Sequence, residues 1–261
     1  DATTAALPLR LTRNGVIRQI EALGNYYTSL YTPVFPPSGD FTPLLRAAND
    51  DHDSAHVMRF APLDRDTPAY AALFTALRNI GWIPFKFYCF GNWYLKVASD
   101  WKTYLEQREG QLRNTLKRKG KKFTADGGTL EIITESAKAE AAIDAFTQVY
   151  SHSWKKPEPY PEFIPGLIRW LAAAGLLRLG IARLQGQPIA AQIWIVNAGK
   201  ASIFKLAYDE AYAQYAPGTL LTARLMEHVI DRDQVKEVDY LIGDDEHKKS
   251  WMSHHRERWG I

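Results

Sequence analysis

The chain has 261 residues, 46% of them hydrophobic and 12% aromatic, with 8 tryptophans. That is enough apolar mass for one large core or two small ones, and it excludes a disordered chain. The net charge of +3 favours anionic ligands without demanding nucleic acid, and the single cysteine, Cys89, excludes an intrachain disulfide and fits a reducing compartment.

No apolar run approaches the roughly 20 residues of a membrane helix. No signal peptide is visible either, so a cytoplasmic protein is expected. Residues 16–23 read as a helix, and 26–35, rich in Tyr and Thr, as a strand closed by a turn at Pro36, Pro37, Ser38 and Gly39. A short helix over 41–48 and a strand over 56–60 follow. Residues 68–80 are helical, with Pro68 at the first position and Gly81 as the stop. Segments 83–90 and 93–97 form a hairpin about Gly91-Asn92. Ser99 or Asp100 then caps a long basic helix running to about Lys122. Leu105, Leu112 and Leu116 recur along it near helical spacing, and Arg113, Lys117, Arg118, Lys119, Lys121 and Lys122 crowd its second half. Asp126-Gly127-Gly128 breaks the chain and divides it into packed halves, 1–125 and 126–261.

The second half opens with a strand over 129–134 and a helix over about 136–153 that gathers Ile143, Phe146 and Tyr150 on one face. Residues 156–165, KPEPYPEFIP, are too rich in proline for regular structure and read as a shaped loop. A helix over 167–174, stopped by Gly175, leads into three strands, 176–184, 189–196 and 202–208, joined by tight turns. The loop Ala216-Pro217-Gly218-Thr219 opens a helix from Thr219; a strand over 237–242 and a polar tail end the chain.

A helix opening carries partial positive charge and unpaired donors. The amides of Thr219, Leu220 and Leu221 would therefore suit a pyrophosphate, with Gly218 allowing close approach and Pro217 stiffening the loop. An ordinary Pro-Gly turn is the alternative. Lys205, a charge inside the apolar strand SIFKLAY, must reach a cleft or pair with an acid, because isolated burial is costly. Asp244 and Asp245 either engage an amine or cap the turn at Gly243. Cys89, in the apolar run FKFYCF, reads as a buried structural thiol. His247, His254 and His255 lack zinc-site spacing, so no metal is assigned.

Several ordered blocks resemble one family. The segments KLAYDEAYAQYAPGTLL, VDYLIGDDEHKKSWMS and RERWGI are similar to the FemAB/CelD-like branch of the GNAT acyltransferase superfamily. The matching positions are Ala207-Tyr208-Asp209, Ala216-Pro217-Gly218, Val238-Asp239-Tyr240, Gly243-Asp244-Asp245, and Lys248 with Trp251. The resemblance covers roughly residues 187–261, extends weakly over the basic helix and the Trp154-Lys155 segment, and hardly reaches residues 1–97. Two departures stand out: the glycine-rich loop of the superfamily is reduced to Gly218, and His247 stands where a tyrosine is common.

The resemblance implies an α/β fold, a mixed and mostly antiparallel twisted sheet of GNAT type flanked by helices, with a diverged GNAT-like partner in the first half. It implies transfer of an acyl group, acetyl first among them, from acetyl-CoA or another acyl-CoA to an amine by direct attack. The acceptor it suggests is an amino sugar or a precursor of a cell-envelope polymer such as an exopolysaccharide. Trp194, Ile195 and Val196 would supply the thioester contact. Asp239, in the strand over 237–242, reads as a general base if its side faces a cleft, where burial would raise its pKa, or as a hydrogen-bonded structural carboxylate at the sheet end. Lys248 would stabilise charge on the oxyanion or bind a phosphate, unless it is a solvated tail lysine, while His152 and Trp154 would line the acceptor site, with a structural role as the alternative for His152. Arg113–Lys122 would be a solvated face, a docking patch for an acyl carrier protein or tRNA, or a peripheral membrane contact; DNA is not implied. Two other classes stay open, an aminoacyltransferase using charged tRNA and a non-catalytic binding protein on a degenerate GNAT fold.

Overall fold

The computed structural model describes residues 5–36, 39–50 and 55–261. Its elements, in chain order, begin with β1 (Leu9–Asn14), β2 (Ile17–Ala22), α1 (Thr42–Asp50), β3 (Val57–Arg59), β4 (Leu63–Asp64), α2 (Pro68–Asn79) and β5 (Phe87–Lys96). They continue with α3 (Trp101–Glu106), α4 (Gly110–Ala125), β6 (Gly128–Ile133), α5 (Ala139–Ser151), α6 (Phe163–Ala173), β7 (Leu177–Leu184), β8 (Gln187–Asn197) and β9 (Lys200–Tyr208). The last are α7 (Pro217–Glu227), which runs into one π turn over His228–Arg232, then β10 (Glu237–Asp239), α8 (Glu246–Trp251) and β11 (His254–Gly260).

The chain forms two compact units. One holds residues 1–92, 242–244 and 255–261; the other holds 93–241 and 245–254. The division expected after residue 125 is thus not where the packing divides. Leu112 and Phe123 of the basic helix belong to the core of the second unit, so α4 stays with the elements that follow it.

In the first unit β1 and β2 pair antiparallel and β3 lies parallel to β2. The helix expected over 16–23 is therefore a strand. Gly15, at φ +59°, makes the tight turn that folds Ile17–Ala22 back on β1, and pairing with a neighbour outweighs a weak helical pattern. Residues 26–35 form no strand; their one ladder contact is an isolated bridge between Val34 and Ala6. Pro37 and Ser38 of the expected turn lie outside the described residues. Helix α2 starts as read, with Thr67 capping the Tyr70 amide. The hairpin expected about Gly91-Asn92 is one continuous strand, β5. A Cβ on Gly91 would sit 2.6 Å from His255 Nε2 and 2.8 Å from the Asp244 carboxyl, so this glycine permits close approach and does not turn the chain. The expected polar tail is structured as well. Arg258 of β11 is buried and pairs with Asp64 at 2.7 Å, and Ile261 exchanges backbone hydrogen bonds with Phe60.

In the second unit the strand order is β5-β10-β9-β8-β7-β6, antiparallel at every step except the parallel pair β9 and β10. This is the mixed, mostly antiparallel sheet expected. Residues 189–194 of β8 are buried without interruption, and both α5 and α7 pack on that strand, so the sheet is covered on its two faces. The basic helix is shorter than expected. Asp100 caps α3 through the Thr103 amide, the chain breaks at Gln107, and α4 starts afresh at Gly110. Helix α7 buries Leu220, Leu221, Leu225 and Met226, each contributing about 1.5–3 kcal/mol. It approaches the sheet over Gly180 of β7, where a Cβ would lie 2.8 Å from Leu225 and 2.9 Å from Leu221. That close approach fixes where the opening of α7 falls.

Candidate active site

Ala216 precedes α7 in the left-handed region, at φ +52°, and Pro217 takes the first helical position. The Leu220 amide already bonds the Ala216 carbonyl at 3.1 Å, closing the first turn. Leu220 and its neighbour Leu221 are buried core residues. Neither faces a ligand as expected, because the helix consumes its own amides from the fourth position on. The amides the helix leaves over are those of Gly218 and Thr219, and Ala216 gives them no side-chain cap.

The opening of α7 is anchored from below. Gln192 of β8, buried, donates from Nε2 to the Gly218 carbonyl at 2.9 Å and to Thr222 Oγ1 at 2.8 Å. Its Oε1 accepts from Trp194 Nε1 at 2.9 Å, and the Thr222 hydroxyl donates to the Gly218 carbonyl at 3.0 Å. Trp194 is therefore a core residue tied into this network. Ile195 and Val196 are committed likewise, since β8 is laddered to β7 on one side and β9 on the other. The Val196 amide is spent on the Leu176 carbonyl at 2.9 Å, but the ladder with β9 is broken by a bulge between Ile193 and Trp194, which disrupts the backbone pairing beside Trp194.

An edge opens one strand further on. The parallel ladder of β10 with β9 spans Lys200, Ala201 and Ser202 only. Beyond Asp239 the chain turns away through Leu241, at φ +56°, while β9 continues to Tyr208. The two strands part at Ser202. Asp239 closes the end of the ladder: it is buried, Lys200 Nζ lies 2.6 Å from Oδ2, and the Leu241 amide donates to Oδ1 at 2.7 Å. These are the contacts of a structural carboxylate. Asp239→Asn is expected to cost about 1–2 kcal/mol, since Lys200 is partly exposed and solvent weakens the pair. Turnover should stay near wild type, whereas loss of a general base costs about a hundredfold or more. Denaturant titration and steady-state rates on the same preparation check both.

The far part of β9 faces a cluster that the proline-rich loop completes. Lys205 forms an ion pair with Glu158 of that loop, both nearly buried, and lies 5.5 Å from the Tyr150 ring. Trp154 packs on Tyr208 with ring centroids 4.9 Å apart, and the Lys155 ammonium lies 5.4 Å from the Trp154 ring. Lys248 pairs with Asp245 at 3.3 Å and sits 5.8 Å from the Tyr240 ring. Burial, with the charges of Lys205 and Lys248 nearby, lowers the Lys155 pKa, and Glu158 only partly offsets this. Tyr208 also stands next to the α7 opening: a Cβ on Gly218 would lie 3.5 Å from its ring.

The structure thus brings Gly218, Thr219, Trp154, Lys205 and Lys248 into one neighbourhood. His152 is the C-cap of α5, with Nδ1 2.8 Å from the Gln148 carbonyl. Asp245 caps α8 and holds Lys248, whereas Asp244 belongs to the first unit, 3.2 Å from His255. Cys89 also lies in the first unit, where burial pushes its thiol up. The sequence assigns no role to Glu158 or Gln192, and Lys155 enters it only as part of the resembling Trp154-Lys155 segment. The lone charge of Lys205 in an apolar strand was the signal for Glu158, and Gln192 in QPIAAQIWIV was the same kind of signal, a polar residue amid an apolar run.

The sequence profile of acetyltransferase (GNAT) domains matches residues 110–249, more than half of the chain. The chain belongs to the GNAT acetyltransferase family. Among solved structures, FemX superposes with a TM-score of 0.65 at 10% identity, over 98% of this chain and 84% of that one. L-PGS from Bacillus licheniformis gives a TM-score of 0.62 at 11% identity, over 97% and 79%. The C-terminal domain of a protein assigned as a lysylphosphatidylglycerol synthetase, from Agrobacterium fabrum, gives 0.62 at 14%, over 97% and 79%. At such identities the likeness is one of fold, and it is to GNAT-fold proteins of the FemAB-like kind. No curated protein matches the GNAT chain by sequence. No described helix is long and apolar enough to cross a membrane.

Proposed function

We propose that this GNAT protein moves an acyl group, acetyl first among the candidates, from acyl-CoA to an amine. The observation that carries the reading is the uncapped opening of α7 next to Tyr208, at the start of a lysine-lined cluster. The residues fit a thioester donor with an anionic arm. Gly218 and Thr219 offer amides and the positive end of the helix, beside the Tyr208 ring that a Cβ on Gly218 would touch at 3.5 Å. The thioester, when bound, supplies an acyl carbon activated toward amines.

The chain's own part is to hold and orient. Trp154 and Tyr208 present aromatic faces to the acceptor, Lys205 and Glu158 are held together by their ion pair, and Lys248 stands ready to offset negative charge that develops on the carbonyl oxygen. Direct attack by the amine suits this site, since the second unit, which holds the cluster, contains no cysteine. An amino sugar or a cell-envelope polymer precursor is the acceptor class we favour. Incubation with acetyl-CoA and longer acyl-CoAs plus a panel of amines, read by mass spectrometry, should yield an N-acylated product; the absence of product with every pair would favour a binding protein.

One observation favours a second reading. On α4, Lys119 is spent on the Gln214 carbonyl and Lys122 on Asp126, but Lys117, Arg118 and Lys121 line its exposed face. Such a stripe suits tRNA, or the acidic surface of an acyl carrier protein. If it grips tRNA, replacing these three by Glu should lower the slope of log affinity against log salt by about 2–3 units. The CoA-induced thermal shift of that variant should not change. A filter-binding titration across salt concentrations tests it.

A further inference from the structure

Lys155 is the odd cation of the cluster. Lys205 has Glu158, and Lys248 has Asp245. Among the described residues no ion pair reaches Lys155, whose named contact is the face of Trp154. It is half-buried, and the two neighbouring ammonium groups repel it while the one carboxylate in range is already committed to Lys205. An isolated cation in such a position is stabilised by an incoming anion more than an exposed lysine would be, because solvent screens it less. Beside it, the Trp154 and Tyr208 rings, inclined at 52°, make an apolar wall on which a sugar or other flat group can rest.

The geometry points to an acceptor that carries an anionic oxygen group, a phosphate or carboxylate, on the same small molecule as its amine, with Lys155 as the residue that holds that group. This rests on the reading of the cluster as the acceptor site. It selects among amines: the anion docks on Lys155 and the body of the acceptor lies against Trp154. An uncharged amine of the same shape lacks the first contact and leaves the ammonium of Lys155 without a partner.

The test is the reactivity of Lys155 itself. The protein is acetylated briefly with limiting acetic anhydride, and labelling of Lys155 is read by peptide mass spectrometry, with Lys102 as the internal control. Glucosamine 6-phosphate, glutamate and uncharged glucosamine are compared. At about ten times its dissociation constant an anionic amine should slow labelling of Lys155 about tenfold and leave Lys102 unchanged, by simple occupancy. Glucosamine should not protect. In transfer assays Lys155→Ala should raise the KM for the anionic amine about tenfold and leave that for acyl-CoA unchanged, and Lys155→Arg should restore it. Equal protection by glucosamine and its phosphate, or no protection by either anion, would overturn the inference. Neither outcome touches donor binding, which is read separately from the CoA-induced thermal shift.

Discussion

Gly218→Glu should show no thermal stabilisation by CoA, where the wild-type protein gains about 5–10 °C. A ligand at about 100 times its dissociation constant adds about 2.7 kcal/mol. For a chain near this size each kcal/mol moves the melting temperature by about 2–4 °C. The variant should fold. Its Cβ would meet only the Tyr208 ring, at 3.5 Å, an ordinary contact. A carboxylate in the first turn also interacts favourably with the helix end, by about 0.3–1 kcal/mol. That same carboxylate would occupy the amides of Gly218 and Thr219 and repel phosphate. Gly218→Ala, adding only the methyl group, should retain most of the shift. An undiminished shift in Gly218→Glu would remove this loop as the donor site, whatever else the protein binds.

Gln192→Leu should produce the largest loss of stability of any single change near the site, about 2–4 kcal/mol. Its side-chain amide joins the Trp194 indole, the Gly218 carbonyl and the Thr222 hydroxyl, all in the interior. Leucine leaves buried polar groups without a partner, at about 1–3 kcal/mol apiece, partly relieved where Thr222 still serves Gly218. The melting temperature should fall by about 4–16 °C. The same change frees the first turn of α7, so the CoA-induced shift should shrink too. Thr222→Val should be milder on both counts. A denaturant midpoint for Gln192→Leu close to wild type would show that the network does not anchor the helix opening.

The contrast between these residues and Asp239 explains what could be read from the sequence. Pro217-Gly218 announced a helix opening because proline and glycine act locally, through fixed φ and the lack of a Cβ. Asp239 looked equally informative, yet its role depends on Lys200, which only the parallel pairing of β10 with β9 brings beside it. Lys205 lies between these cases. Its burial demanded a partner, and the requirement was visible in SIFKLAY, but which acid answered was not. Glu158 lies 47 residues away, in a loop whose path no local rule describes. For residues 194–196 the sequence showed an apolar strand, but not the bulge against β9 between Ile193 and Trp194, which exists only in the pairing register.

By itself, the amino-acid order determined the class of fold, the meander of three strands, the helix that follows Pro217 and the GNAT resemblance of its last third. All of these rest on periodicity and turn chemistry acting over a few residues. Only the tertiary structure decided that 16–23 is a strand, that β5 runs straight through Gly91, and that the final residues form β11. It also decided that Lys155 stands beside Lys205 and Lys248, with Glu158, the carboxylate in range, paired to Lys205. Pairing partners, close approaches and net fields belong to residues far apart in the chain, and their energies exist only once the chain has folded.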